Sequence, residues 1–298
     1  MTKKTIKLLS SMILISISIS YDAVSSMVVS YEELNDHLVI FKSSDQQGLI
    51  VMSDQHSVLI DPIDEKTAES IKTFLDRNKR PPISTIIYSH SHWDRIQGSN
   101  VFEDKKLDII AQKNCGMYLS GNEHTEISKP NIYFEDNYEL IVGEEIIRLH
   151  YFGPSHGECM AVMELEKSKL LFIPDLIKTT GPAFPDDPTL PFLRPASLEA
   201  FFNSTEKLAR SKNIDLFISG HYSEKTFGSI NIISQQKSFW KKIELMAIEA
   251  EEKGLVDLNN FIAIEKMDLE QIKEYENYNE NDLVNILRRY TSYLNMGR

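Results

Sequence analysis

Two histidines separated by a single residue stand in the run His90-Ser91-His92-Trp93-Asp94. Such a pair on a loop after a strand can bind one metal ion through both imidazoles, and an aspartate two positions further on can reach a second ion. Three more residues of ligand type, His156, Asp175 and His221, each follow a predicted strand. The residue types and their spacing therefore predict a metal site with six candidate ligands: His90, His92, Asp94, His156, Asp175 and His221.

The elements that must position these residues alternate between strands and helices. Strands are predicted over residues 48–52, 57–60, 85–88, 107–111, 139–142, 146–151, 160–165, 169–173 and 214–218. Helical spacing is predicted over 64–78 and over 197–210, with Ser197 as the N-cap. The segment 181–195 holds five prolines and is predicted to be an irregular loop, either a lid over the site or a long connection. This alternation indicates an α/β fold in which the candidate ligands meet at one edge.

The N-terminus has the layout of a secretory signal. Lys3, Lys4 and Lys7 precede an apolar, serine-rich run of 12 residues over 8–19. A membrane-spanning helix needs about 20 apolar residues, so this run is too short for one. We therefore expect a signal peptide over 1–26, a periplasmic or secreted protein, and no stable membrane anchor after cleavage; a buried N-terminal strand or helix is the alternative.

The rest of the chain divides into two predicted regions, a catalytic domain over 29–229 and a helical extension over 230–298. In the extension, Phe239, Ile243 and Met246 form one apolar helical stripe, and a second stripe includes Leu283 and Leu287. We interpret these stripes as facing the core. Packing of the same helices on a second subunit, which would give a homo-oligomer, is the alternative.

Charge and cysteine content narrow the classes of partner. The chain carries 32 basic and 44 acidic side chains, a formal charge of −12, which would repel a phosphate backbone, so nucleic acid is not an expected partner. Cys115 and Cys159 are the only cysteines. They could form one disulfide in an oxidising compartment. The favoured interpretation is two small buried side chains.

From about Leu38 to His221 the chain resembles the metallo-β-lactamase-fold hydrolase superfamily, in its general hydrolase branch. The resemblance rests on the metal run at 90–94 and on the ordered ligands downstream. It implies an αββα sandwich with a C-terminal helical extension. In the family's scheme, the positions of His90, His92 and His156 hold one zinc ion, those of Asp94 and His221 hold a second, and that of Asp175 bridges the two.

The resemblance also implies a reaction. A water molecule between two zinc ions loses a proton near neutral pH and attacks the substrate as hydroxide, while a metal polarises the bond to be cleaved. Asp94 could orient this hydroxide and return a proton to the leaving group, which makes it the expected catalytic residue. The expected substrate is a small ester, thioester, lactone, lactam or sulfate ester.

Arg95 departs from the family pattern, which usually places a histidine ligand of the second metal there. Arginine stays protonated in proteins and is a poor ligand, so Asp94, Asp175 and His221 would have to hold the second ion. One zinc ion, two zinc ions, or manganese or iron instead are all compatible with this set. A catalytically weakened metal-binding or scaffold protein is the alternative function, and a β-lactamase ranks below it.

Three further residues are candidates for substrate contact or for support of the ligands. Arg95 could steady the metal loop by pairing with an aspartate, which is the favoured interpretation, or bind substrate. Lys178 matches a position where some β-lactamases keep a lysine for the substrate carboxylate; a solvated surface lysine is the alternative. His150 is near the site in sequence and could hydrogen-bond a ligand.

Overall fold

A computed structural model describes residues 29–102, 106–120, 126–182, 194–222, 224–257, 261–275 and 278–296. The predicted signal peptide at 1–26 and most of the proline-rich loop at 181–195 lie outside these residues. In the part of the chain that the structure describes, no helix combines the length and apolar character needed to cross a membrane.

One sheet carries the metal run. Its strands are β1 (Ser30–Asn35), β2 (Leu38–Ser43), β3 (Gln46–Met52), β4 (Ser57–Ile60), β5 (Ile83–Ile87), β6 (Asp108–Gln112) and β7 (Ile132–Phe134), and they lie in chain order. The first four strands pair antiparallel, and β4 to β7 pair parallel. The hairpin predicted between residues 48 and 60 is confirmed, with Ser53 N donating to the carbonyl of His56 at its turn.

The second sheet carries the later ligand candidates. Its strands are β8 (Asn137–Val142), β9 (Glu145–Tyr151), β10 (Ala161–Leu165), β11 (Leu170–Ile173), β12 (Leu216–Ser219) and β13 (Phe227–Ser229), in the order β13-β12-β11-β10-β9-β8. Strands β11 and β12 are parallel, and the other pairs are antiparallel. Buried apolar side chains from the two sheets, such as Leu49, Ile60, Leu149 and Phe172, form the interior of a sandwich.

Helices cover both outer faces. They are α1 (Glu65–Arg77), α2 (Trp93–Ile96), α3 (Cys115–Leu119), α4 (Pro195–Lys212), α5 (Asn231–Glu252), α6 (Glu270–Lys273) and α7 (Glu280–Met296). Helix α1 packs on the first sheet through Ala68 and Ile71. Helices α4, α5 and α7 share one apolar cluster with the outer face of the second sheet, in which Phe239 lies with Phe217. The predicted αββα sandwich with C-terminal helices is confirmed.

The two long helices before residue 230 begin for different physical reasons. Asp64 caps α1 by accepting a hydrogen bond from Thr67 N at 2.8 Å, which satisfies one of the free N–H groups of the first turn. Helix α4 begins at Pro195 with Arg194 at the cap position, so the prediction of Ser197 as N-cap is wrong. Proline suits the first helical position because its fixed φ is already helical. An N–H at that position would have no partner within the helix, so its absence costs nothing.

The two cysteines form a disulfide, which corrects the favoured interpretation of two separate buried side chains. Cys115 and Cys159 are bonded across a sequence separation of 44, and both are buried. Sequence spacing did not indicate this pair, because the contact depends on α3 packing beside the segment that enters β10.

Candidate metal centre

Four of the six predicted ligands meet at one rim of the sandwich. The ligand atoms of His90, His92, His156 and Asp175 all lie within 4.8 Å of one another. His90 and His92 follow β5, His156 lies between β9 and β10, and Asp175 follows β11. Strands that end at the same edge bring these side chains together although the first and the last are 85 positions apart in the sequence.

The contacts inside this cluster fit a metal ion. Nε2 of His90 lies 3.1 Å from Oδ2 of Asp175, and Nε2 of His156 lies 3.6 Å from the same oxygen. Nε2 of His90 and Oδ1 of Asp175 are nevertheless buried without an aligned hydrogen-bond partner in the described structure. Buried polar atoms normally have a partner, so these atoms suit a ligand that the chain does not supply.

The charge states of the cluster also suit metal binding. Burial lowers the pKa of His90 to about 3, so its imidazole is neutral at pH 7, the form that binds metals. Burial raises the pKa of the Asp175 carboxyl, but the Arg95 guanidinium and two imidazoles outweigh that effect and hold the pKa well below its usual range. Asp175 also has a positive φ of 48°, a strained conformation that aspartate tolerates better than most residues.

The remaining two predicted ligands lie beside this cluster. Nε2 of His221 is 3.6 Å from Oδ1 of Asp175, while its ring is 19% exposed. Asp94 lies on the short helix α2 and is exposed, and its Oδ2 accepts a hydrogen bond of 3.1 Å from Nε2 of Gln46. His221 therefore reaches the oxygen of Asp175 that lacks a hydrogen bond, and Asp94 stands at the open edge.

Arg95 points away from solvent and lies beneath the site. Its side chain is fully buried, with Nη2 3.1 Å from Oδ2 of Asp61 and 2.8 Å from the carbonyl of Gln47, while Nη1 donates to the carbonyl of Gly220 at 2.8 Å. Burial lowers the pKa of the guanidinium, but three carboxylates, led by Asp175, outweigh that effect and raise it. Arg95 thus joins the metal loop to the segments that precede His221 and follow β2.

Asp61 is a supporting residue that the sequence interpretation missed. Its carboxylate accepts hydrogen bonds from the backbone and the hydroxyl of Ser89, at 2.8 and 2.7 Å, as well as from Arg95. The Ser89 hydroxyl lies 2.8 Å from Nδ1 of His90. The available signal was a polar residue directly after the predicted strand 57–60, followed by a proline.

The segment that carries His156 is held at its far end by several contacts. Tyr151 Oη donates to the carbonyl of Glu158 at 2.7 Å, and Asn114 Nδ2 donates to the same carbonyl at 3.3 Å. Cys159, three residues after His156, forms the disulfide with the start of α3. The disulfide and the hydrogen bonds together fix the segment on which a candidate ligand lies.

The side chains of Asp175 and Arg95 both lie against the backbone of Gly220. A Cβ at this position would lie 2.4 Å from Oδ1 of Asp175 and 2.7 Å from Nη2 of Arg95. Both distances are far below normal van der Waals contact. The residue before His221 must therefore lack a side chain.

The other two additional candidates have described contacts outside the cluster. His150 contacts Glu164 through Nε2 and Asn137 through Nδ1, each at 3.0 Å, and no predicted ligand is among its described contacts. Lys178 is half-buried three residues after Asp175 and forms an isolated backbone bridge with Gly181.

Comparison with known families explains this arrangement. Residues 47–221 match the profile described as "Metallo-beta-lactamase superfamily", which covers more than half of the chain. The chain belongs to the metallo-β-lactamase superfamily. Its ligand run and its two-sheet sandwich are those expected of that family.

Solved metallo-β-lactamases share the fold. The Pontibacter korlensis metallo-β-lactamase is 18% identical, with a TM-score of 0.56 over 72% of this chain and 99% of its own. The DIM-1 metallo-β-lactamase is 19% identical, with a TM-score of 0.60 over 72% of this chain and 97% of its own. At such identities the similarity shows the fold alone.

One relative of this chain is named for a different activity. The 2,4-dinitroanisole O-demethylase subunit alpha of Nocardioides sp. (strain JS1661) is 22% identical over 199 residues. The match covers 65% of this chain and 56% of that protein, so the chain spans little more than half the length of this relative.

Proposed function

We propose that this protein is a metal-dependent hydrolase, with zinc as the expected metal, that cleaves a small ester, thioester, lactone, lactam or sulfate ester. The observation that carries the proposal is the convergence of four ligand atoms within 4.8 Å of one another at one rim of the sandwich. Imidazole nitrogens with a carboxylate oxygen suit zinc, and manganese or iron accept the same donors. A divalent metal held there lowers the pKa of bound water and polarises the bond to be cleaved.

The residues of this chain would divide the work. His90, His92 and His156 would hold the first ion, and Asp175 would lie between it and a second ion held by Asp94 and His221. Asp94 is exposed at the edge of the cluster, and its carboxylate would accept a proton from the attacking water and return it to the leaving group.

Several observations widen or support the proposal. A periplasmic or secreted location is supported by the Cys115–Cys159 disulfide, since disulfides persist in oxidising compartments. The similarity to a 2,4-dinitroanisole O-demethylase subunit adds an aryl methyl ether to the substrates worth testing.

Arg95, in place of a family histidine, favours a second candidate function, a metal-binding or scaffold protein with weakened turnover.

Metal analysis and a substrate panel test the proposal on the purified full chain. The protein is stripped with a chelator and reloaded with zinc, manganese or ferrous iron, and its metal content is measured by mass spectrometry. Hydrolysis of the panel is then followed for the wild type, for His92→Ala, and for the control His56→Ala. His56 lies at the opposite end of β4 from the site, where its Nδ1 contacts the Ser53 hydroxyl.

We expect stoichiometric metal and hydrolysis of one or more panel members in the wild type and in His56→Ala, and loss of both in His92→Ala. A folded wild-type protein that retains no metal after reloading would overturn the proposal. Stoichiometric metal without turnover of any panel member would favour the scaffold alternative.

A further inference from the structure

The turn between β2 and β3 contacts the outer half of the metal centre. The turn is defined here as residues 44–47, which are the two residues between the strands and the first two residues of β3. Ser44 in it has a positive φ of 56°. Gln47 N donates to the carbonyl of Gly220 at 2.8 Å, and its side-chain Nε2 donates to the carbonyl of Ser219 at 2.8 Å. The turn of the first sheet is thus fastened to the end of β12 in the second sheet, directly before His221.

Gln46 in this turn reaches both outer ligand candidates. Its backbone forms a bridge with His221, and its Nε2 donates to Oδ2 of Asp94 at 3.1 Å. Asp94 lies in the four-residue helix α2, in which the cap position has no side-chain hydrogen bond. A short helix gives its side chains little restraint, so the amide of Gln46 restricts the direction in which the Asp94 carboxylate points.

Asp45 in the same turn faces the ring of His221 from the other side. Its Oδ2 lies 3.7 Å from Nδ1 of His221, whose Nε2 faces Asp175. Its backbone carbonyl accepts a hydrogen bond of 2.5 Å from Tyr222 N. Nδ1 of His221 has no hydrogen-bond partner among the described residues, and the Asp45 side chain is 70% exposed, so the Asp45 carboxylate acts on the ring through its charge. A negative charge beside Nδ1 favours the tautomer that is protonated there, which leaves Nε2 free to bind a metal.

We propose that Asp45 and Gln46 are positioning residues that hold His221 and Asp94 in place for a second metal ion and thereby set its affinity. This inference rests on the proposed function, because it presupposes metal binding at the cluster. The turn would connect two ligands, Asp94 and His221, that follow strands of different sheets.

The chain offers a matched control for this turn. The hairpin between β3 and β4 contains the same residue pair, Asp54 followed by Gln55, and both side chains are exposed. That hairpin is at the opposite end of β4 from Asp61 and the metal site. The test variant is Asp45→Ala/Gln46→Met, and the control is Asp54→Ala/Gln55→Met.

The experiment measures stepwise metal binding to the stripped full chain by competition with a chromophoric chelator for zinc. Cobalt spectra of the first and second equivalents are recorded in parallel, because they report the ligand geometry of each ion without turnover. We expect the affinity for the second equivalent to fall about 10- to 100-fold in the test variant, with the first equivalent changed less than about 2-fold. The control should match the wild type.

Three outcomes would overturn the inference. They are unchanged second-ion affinity in the test variant, an equal fall in both affinities, and a wild type that binds a single equivalent only. A wild type that binds no metal would instead contradict the proposed function itself. If the double variant fails to fold, Gln46→Met alone is measured in the same way, with Gln55→Met as its control.

Discussion

The two halves of the candidate metal centre use the same residue types but are supported differently. In the inner half, His90 and His156 are buried, and the segments that carry them are held by the Asp61 network and by the disulfide. In the outer half, Asp94 is exposed and His221 is 19% exposed, and outside the cluster their described side-chain contacts are with Gln46 and Asp45. We therefore expect the inner half to bind its ion more tightly than the outer half, because supporting contacts preorganise its ligands.

Removal of Asp61 should have the largest effect, because it supports both halves. In Asp61→Ala the guanidinium of Arg95 would remain buried without the carboxylate that it hydrogen-bonds, which we expect to cost about 3–5 kcal/mol of unfolding free energy. Urea unfolding measures the change. Asp64→Ala removes only the cap of α1 and should cost about 1 kcal/mol. Equal losses in the two variants would show that the buried ion pair is not the common support.

Removal of the disulfide should affect the inner half of the metal centre more than the outer half. Cys115→Ala/Cys159→Ala is expected to lower the unfolding free energy by about 2–4 kcal/mol, because the bond restricts the unfolded chain. The His156 segment should also lose restraint, so binding of the first zinc ion should weaken more than binding of the second. Urea unfolding and zinc competition check the two effects, and an unchanged first-ion affinity would count against the role of the disulfide in holding His156.

A methyl group at position 220 should displace Asp175, the ligand candidate that the two halves share. Gly220→Ala would push Asp175 and Arg95 apart, and we expect zinc affinity to fall about 10- to 100-fold. The control is Gly116→Ala, where the new Cβ would lie 3.5 Å from the ring of Tyr133, an ordinary contact. If competition titrations show wild-type affinity in Gly220→Ala, Asp175 has more freedom than its surroundings indicate.

A change remote from both halves should give the smallest effect and leave metal binding intact. Glu206 on α4 accepts hydrogen bonds from Ser234, Arg210 and Lys237, which lower its pKa to about 2. Because the folded pKa lies below the unfolded value, this stabilisation is present above about pH 4.5 and is lost as the pH falls toward about 2.

Glu206→Gln should therefore lose about 1 kcal/mol at pH 7 and progressively less below pH 4.5. Thermal unfolding across that pH range, together with zinc competition at pH 7, checks both statements. A fall in zinc affinity would contradict the separation of this helix pair from the metal centre.

Much of the fold and of the site could be predicted from the sequence because the signals are local. The period of the apolar residues indicated α1 and most strands, and the segments that carry the ligand candidates follow β5, β9, β11 and β12. The predicted N-cap of α4 failed because Pro195, two residues earlier, already satisfies the first helical position. Metal occupancy, catalytic roles and location in the cell remain predictions.

By itself, the sequence determined the order of the ligand candidates and an α/β alternation that brings them to one edge, since both follow from residue type and periodicity along the chain. The αββα sandwich was implied by the resemblance to the superfamily. The tertiary structure alone decided the pairing of Cys115 with Cys159, the burial of Arg95 against Asp61, and the reach of Gln46 to Asp94. These contacts join residues 34 to 48 positions apart on different elements. Local patterns do not encode such contacts, because they depend on how the elements pack and on the burial that follows.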